Sequence, residues 1–214
     1  MQKKLGTILA GAGLGASLIA LSAPAHATTT GTWTVTPGGS VTANIAPLTK
    51  VIAKDPSRGT QAVCSGATGG GVAASGSGLS GTHLVTINSL TASSCIGPGN
   101  ANVTITMNGL PWYMNADSYN ATTGVTTGTV TGIKATYSNP VDGCVATITG
   151  PAGAGGSVAG TYTNSSHKLA AGGSSTLVVN TVNTSCSPTQ IQVGDPITLT
   201  GTLVVSPSQT VTSP

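Results

Sequence analysis

Short runs in which threonine alternates with valine, isoleucine or leucine recur along this chain, and they constrain its fold more than any other feature. Because successive side chains of a strand point to opposite faces, a run such as Asn-Val-Thr-Ile-Thr-Met at 102–107 places its apolar residues on one face. Turn residues separate the runs, and no amphipathic helical segment lies between them to make parallel crossovers. The pattern therefore predicts a single all-β domain, an antiparallel β-sandwich or β-barrel. The runs are 32–36, 83–87, 102–107, 129–133, 145–149, 176–179 and 197–205.

The composition agrees with strands around a core of small side chains. Threonine, valine and isoleucine pack well on a pleated sheet, whereas the 31 glycines and 12 prolines favour turns. Phenylalanine is absent, so the core must consist of small branched side chains and a few other aromatic rings. We assign residues 28–214 to the β domain, a length that buries about two-thirds of the unfolded surface.

Residues 1–27 have the pattern of a secretory signal peptide. A basic head, Lys3 and Lys4, precedes the small apolar residues of 5–21, and the Ala-His-Ala sequence at 25–27 matches a signal-peptidase site. No later apolar run approaches the roughly 20 residues needed to cross a bilayer. These features predict a secreted protein, extracellular or associated with the cell surface, with no membrane span in its mature form.

The predicted mature chain is nearly uncharged. It contains no glutamate, and its few acids and bases nearly balance once the signal peptide is removed. Nucleic-acid binding needs many phosphate contacts from a basic face, so nucleic acid is not expected as a partner. The acids are Asp55, Asp117, Asp142 and Asp195, and the bases are Lys50, Lys54, Arg58, Lys134 and Lys168.

The four cysteines, Cys64, Cys95, Cys144 and Cys186, indicate two disulfides in an exported chain. Four cysteines allow three pairings. We favour Cys64 with Cys95 and Cys144 with Cys186, because sequential loops match a division of the chain into two halves. Each disulfide should stabilise the fold by about 3–4 kcal/mol by restricting the unfolded chain.

Motifs for catalysis or metal binding are weak. No Cys-x-x-Cys pair occurs and the histidines of the mature chain, His83 and His167, are isolated, so neither a metal nor another cofactor is expected. No Gly-x-Ser-x-Gly elbow marks a nucleophile, and the aspartates fit turns and a polar loop better than a pair of glycosidase carboxylates. We therefore expect a protein without enzymatic activity.

Residues 108–120 are the least ordinary segment, because they combine aromatic and amide side chains in a chain that has few aromatic residues. Aromatic rings stack on the apolar faces of sugars and amides bond hydroxyl groups, so the segment is our candidate for a binding patch. The alternative is that Trp112 fills the core, with its indole N–H bonded internally. The candidate binding residues are Trp112, Tyr113, Asn115, Asp117 and Tyr119.

Several short motifs carry a resemblance. They are Trp-Thr-Val-Thr-Pro-Gly-Gly at 33–39, Gly-Leu-Pro-Trp at 109–112 with 115–116 and 118–119, Thr-Tyr-Thr-Asn at 161–164, Gly-Asp-Pro at 194–196 and Ser-Pro at 206–207. In these motifs and in layout the chain resembles a family of secreted actinobacterial proteins, of the type found in streptomycetes, whose function is unknown. The resemblance implies secretion, a β fold and paired cysteines, but no activity and no site residues.

These observations predict a secreted, non-enzymatic binding or surface-structural protein that contacts carbohydrate or another cell-envelope polymer. A first alternative is a carrier of a small apolar ligand, which would require an unusually roomy barrel interior. A second is a secreted hydrolase, which would require two aspartates, or a serine and a histidine, to converge in a cleft. An outer-membrane barrel is disfavoured because aromatic girdles are missing.

Overall fold

The computed structural model describes residues 32–214, so the predicted signal peptide at 1–27 lies outside the described residues. In the described part the regular structure is almost entirely antiparallel strand, with short 3₁₀ turns at Pro98–Asn100 and Pro151–Gly153. The all-β prediction is confirmed. The strands are β1 Trp33–Thr36, β2 Gly39–Ile45, β3 Val51–Asp55, β4 Thr60–Ala73, β5 Gly76–Leu79, β6 Val85–Ile96, β7 Asn102–Asn108, β8 Trp112–Asn120, β9 Val125–Asn139, β10 Cys144–Thr149, β11 Gly156–Thr163, β12 Lys168–Ser175, β13 Leu177–Val182, β14 Pro196–Ser206 and β15 Thr210–Thr212.

Strand pairing closes the main sheet on itself at two levels, which makes the fold a barrel. One ring of pairings runs β2, β4, β6, β8, β9, β11, β12, β14 and back to β2. The other runs β3, β4, β6, β7, β9, β10, β13, β14 and back to β3. The four long strands β4, β6, β9 and β14 belong to both rings, so the two levels form one continuous barrel.

A separate sheet, in the order β15, β1, β5, covers one end of the barrel. Trp33 and Val35 of this sheet pack against Val41, Ala73 and Leu84 in a buried cluster of their own. We call this sheet the cap, the ring that contains β2 the cap ring, and the ring that contains β3 the base ring. The main hydrophobic core lies inside the barrel below the cap.

The alternation seen in the sequence sorts side chains between the inside and the outside of the barrel. Along β14, Leu199 and Leu203 face the interior, whereas the intervening threonines lie on the outer face. Outer hydroxyl groups bond one another across neighbouring strands, as in the Thr147–Thr181 and Thr68–Thr91 pairs, each with 2.7 Å between oxygens. Because the chain has few charged side chains, these hydroxyl groups provide much of the polarity of the outer face.

Two glycines allow neighbouring strands to approach closely where the barrel bends. Gly71 of β4 lies where the pairing with β6 shifts register, and Gly128 of β9 lies opposite the bulge in β8. A Cβ atom on Gly71 would collide with the backbone oxygen of Thr86, and one on Gly128 with that of Asn115. Any larger residue at either position would therefore push the paired strands apart.

Both predicted disulfides are confirmed. Cys64 and Cys95 are directly opposed residues of β4 and β6, and both are buried inside the base ring. The second disulfide joins buried Cys144, at the start of β10, to partly exposed Cys186 in the loop after β13.

We predict that a mild reductant opens Cys144–Cys186 before Cys64–Cys95 in the native protein, because thiol–disulfide exchange requires access to a sulfur atom. Alkylation at successive times, followed by peptide mass mapping, would give the order. A denatured sample, in which both disulfides are accessible, is the control. Equal rates in the native protein, or the reverse order, would contradict the burial of Cys64 and Cys95.

Candidate ligand cavity

The candidate binding residues of the sequence lie along β8, and the alternation of this strand distributes them over different faces. Trp112 lies inside the barrel, where only 3% of its surface is exposed, and its indole N–H donates a hydrogen bond to the backbone oxygen of Asn108 at 3.0 Å. Tyr119, near the other end of β8, packs against the buried cluster beneath the cap. Trp112 is therefore a core residue, whereas Tyr119 is partly buried.

Tyr113 and Asn115 lie on the outer face of the same strand. The Tyr113 ring stacks on that of His83, with centroids 4.0 Å apart. The Asn115 side chain accepts a hydrogen bond from the backbone N–H of His83 at 2.9 Å and donates one to the Thr131 hydroxyl at 3.2 Å. Asp117 is exposed in the bulge of β8. The five candidates thus do not form one surface, and carbohydrate contact by the outer residues stays a prediction.

The barrel interior contains a cavity of about 270 Å³. Its walls come from both rings and from the cap, and Trp112 is one of the lining residues. No aspartate, lysine, arginine or histidine of the described chain lines it. Representative lining residues are Ile87, Leu90, Met107, Val130, Ile133 and Leu199.

Small residues on the inner face of β4 help to explain why this volume stays unfilled. Ala67, Gly69 and Gly71 line the cavity opposite Ala92, Leu90 and Ile87 of β6, so one of the two strands contributes almost no side-chain volume. An eight-stranded barrel is just wide enough either for side chains to fill it or for one small ligand. With small residues on β4 and no phenylalanine in the chain, the side chains do not fill it.

The buried polar side chains that line the cavity lie near the cap. The Tyr162 hydroxyl donates a hydrogen bond to the backbone oxygen of Gln209 at 2.8 Å and accepts one from its backbone N–H at 3.3 Å. Burial raises the pKa of Tyr162. Thr126 is paired with Tyr162 across β9 and β11 and is 6% exposed, yet its buried hydroxyl has no hydrogen-bond partner. Among the buried lining residues of the described chain, Thr126 is therefore the one with unused hydrogen-bonding capacity.

A second polar cluster lies at the base ring and joins two turns. Asp55 accepts hydrogen bonds from the backbone N–H groups of Ser57 and Arg58 at 2.8 and 3.1 Å. The Arg58 guanidinium donates to the two carboxylate oxygens of Asp195 at 2.9 and 3.2 Å. It also donates to the Gln192 side-chain oxygen at 2.6 Å. The cluster thus fastens the β3–β4 turn to the segment just before β14.

The two carboxyl groups of this cluster have opposite pKa shifts. Burial raises the pKa of Asp55, and the hydrogen bond from Arg58 lowers the pKa of Asp195. The neighbouring Asp195 carboxylate raises the pKa of Asp55 further, so Asp55 is the carboxyl group of the pair that takes up a proton first as the pH falls. Asp55 Oδ2 is buried and has no hydrogen-bond partner, which agrees with burial as the main cause of the raised pKa.

The hydrolase alternative required either two aspartates, or a serine and a histidine, to converge in a cleft, and the aspartates can be located in the fold. Asp55 and Asp195 do converge, but both are buried, at the end of β3 and just before β14, and neither lines the cavity. The sequence pattern predicted turns at both residues. Their proximity could not be predicted from the sequence, because they lie 140 positions apart.

No protein-family model, curated protein or solved structure matches this chain. Within residues 32–214, no helix is both long enough and apolar enough to span a membrane. The same part of the chain contains no group of three or more His, Cys, Asp or Glu side chains placed to hold a metal ion. The function is therefore inferred from the cavity and the residues around it.

We predict that Trp112→Ala lowers the free energy of unfolding by about 3–5 kcal/mol, because it removes a large buried side chain beside an existing cavity. Tyr113→Ala, at the neighbouring position on the outer face, should cost less than about 1.5 kcal/mol. Denaturant unfolding followed by circular dichroism would measure both. Similar losses for the two variants would show that Trp112 is not a core residue.

We predict that Asp55→Asn stabilises the protein increasingly as the pH rises. A raised pKa means that the stability contributed by protonated Asp55 is present below its ordinary pKa of 3.8 and is lost as the pH rises through the folded value. Asparagine does not ionise, so the variant does not lose this stability as the pH rises. The difference in Tm between variant and wild type should therefore become more positive between pH 4 and pH 7.5. Asp117→Asn, which removes the same charge from the exposed bulge, is the control, and parallel profiles for wild type and Asp55→Asn would show that the pKa of Asp55 is not raised in the folded protein.

Proposed function

We propose that this protein is secreted and binds one small apolar molecule inside its barrel, without catalysis. The observation that carries the proposal is the apolar cavity of about 270 Å³. An apolar cavity of about 150 Å³ is enough to bind benzene, so the volume here is sufficient for a specific ligand.

The energetic cost of an empty cavity supports occupancy. Cavities left by core truncation destabilise proteins by about 24 cal/mol per Å³. At that rate a cavity of about 270 Å³ costs about 6 kcal/mol when empty. Domains of this kind have net stabilities of only about 5–15 kcal/mol, so a ligand that fills the space would recover a large part of the total.

Further features support the location and the absence of catalysis. Two disulfides are typical of proteins that leave the reducing cytosol, and the pattern of residues 1–27 predicts export. Within residues 32–214, the cavity walls offer neither a carboxylate nor a histidine for acid–base chemistry. Ligand binding in the barrel is favoured over contact with an envelope polymer because Trp112, the largest candidate ring, faces the interior.

The first experiment is to identify what the protein carries. Organic extraction of the protein purified from its native secretion medium, followed by gas chromatography and mass spectrometry, should recover an apolar compound in near-stoichiometric amount. The extracted protein should then bind the hydrocarbon tetralin, with a change in tryptophan fluorescence because Trp112 lines the cavity. Failure to recover a compound together with failure to bind tetralin would overturn the proposal.

We predict that Val130→Phe weakens tetralin binding at least tenfold and raises the Tm of the ligand-free protein by about 2–4 °C. The added ring would occupy cavity volume, and cavity filling commonly adds about 1 kcal/mol of stability. Val72→Phe is the matched control, because Val72 lies outside the cavity and is 47% exposed. Isothermal titration and thermal unfolding would measure both variants. Undiminished binding by folded Val130→Phe would place the ligand elsewhere.

A further inference from the structure

We infer that the ligand is an uncharged, mostly hydrocarbon molecule of about ten or eleven non-hydrogen atoms with a single hydrogen-bonding oxygen, which bonds to the Thr126 hydroxyl. This inference rests on the proposed function and specifies the chemical class that the same cavity accepts.

The volume of the cavity sets the size of the molecule. Benzene, with six non-hydrogen atoms, binds in an apolar cavity of about 150 Å³. In the same proportion, the cavity of about 270 Å³ accommodates about eleven such atoms. A long-chain lipid or a sterol would exceed this space.

The residues that line the cavity determine the charge that the ligand can carry. Burying an ionised group in an apolar site is strongly unfavourable unless an opposite charge or several hydrogen bonds compensate it. None of the lysines of the described chain lines the cavity, and its arginine, Arg58, is bonded to Asp195 at the base ring. A carboxylate would therefore find no partner, so the class excludes ionised fatty acids of matching size.

The unpartnered hydroxyl of Thr126 determines how many hydrogen-bonding atoms the ligand carries. Three buried side-chain polar atoms in residues 32–214 lack a partner, on Asp55, Thr126 and His167, and only Thr126 lines the cavity. Rotation about χ1 exchanges the positions of the threonine hydroxyl and methyl groups, so the hydroxyl can turn toward a ligand oxygen. The neighbouring Tyr162 hydroxyl is already bonded to Gln209. The walls thus offer one hydrogen bond to a ligand.

The position of Thr126 also orients the ligand. Thr126 lies near one end of β9, in the cap ring, whereas Ile133 and Ala135 line the cavity further along the same strand. An oxygen bonded to Thr126 would therefore lie near the cap. The hydrocarbon part would extend toward Ile133 and the Trp112 ring.

The test compares a hydrocarbon with its ketone. Tetralin and 1-tetralone have the same skeleton and differ by one carbonyl oxygen, so the ratio of their Kd values reports the polar contact. We expect Thr126→Val to reduce the preference for the ketone about tenfold, the loss of one hydrogen bond, while the tetralin Kd changes less than twofold. Thr126→Ser, which keeps the hydroxyl, should restore the preference. Thr126→Ala removes the same hydroxyl and serves as a second variant if Thr126→Val does not fold.

A second pair of probes tests the charge. Nonanoate and 2-decanone have the same number of non-hydrogen atoms, and at pH 7.5 the carboxylate should bind at least tenfold more weakly than the ketone. Equal affinities would overturn the uncharged assignment. If tetralin binds but Thr126→Val leaves the ketone preference unchanged, the Thr126 contact is wrong and the proposed function stands. If the ligand-free protein binds none of the four probes, the proposed function itself fails.

Discussion

Closure of the barrel depends on four strands that are long enough to pair with different partners in their two halves. In β9, residues 125–133 pair with β8 and β11 of the cap ring, and the remainder pairs with β7 and β10 of the base ring. The strands β4, β6 and β14 divide their partners between the rings in the same way. Because each long strand is hydrogen-bonded in both rings, a change of register in one ring would disturb the other. The positions of the cavity, the cap and the polar cluster at the base ring all depend on these four strands.

The same closure creates a conflict between packing and function. A barrel of this width encloses space that small inner residues on β4 do not fill, and an empty cavity of about 270 Å³ costs about 6 kcal/mol. The two disulfides, at about 3–4 kcal/mol each, offset a cost of this size by restricting the unfolded chain. Stability therefore comes partly from covalent links, so the interior does not have to be packed to full density.

Charge contributes to the structure at few points, and most of them are turns. Arg58 and Asp195 form an ion pair that joins the β3–β4 turn to the segment before β14, and the backbone N–H groups of that turn donate hydrogen bonds to Asp55. Elsewhere the outer face is covered by threonine and serine, whose hydroxyl groups bond across strands. The low charge of the chain is thus consistent with a barrel whose outer face is polar and whose interior is apolar.

The period-two pattern, the turn residues and the cysteine spacing were enough to predict antiparallel strands and the correct disulfide pairing, because these depend on local geometry and chain order. The same alternation separates Trp112 from Tyr113 once a strand is assigned. Only the tertiary structure decided between sandwich and barrel, since that choice depends on which distant strands pair. The cavity and the unpartnered hydroxyl of Thr126 exist only because the barrel closes. The interaction between Asp55 and Asp195 likewise depends on the fold, because the two residues lie 140 positions apart in the sequence. A sequence pattern describes which way each side chain points along its own strand, whereas the volume inside the barrel depends on all the strands together.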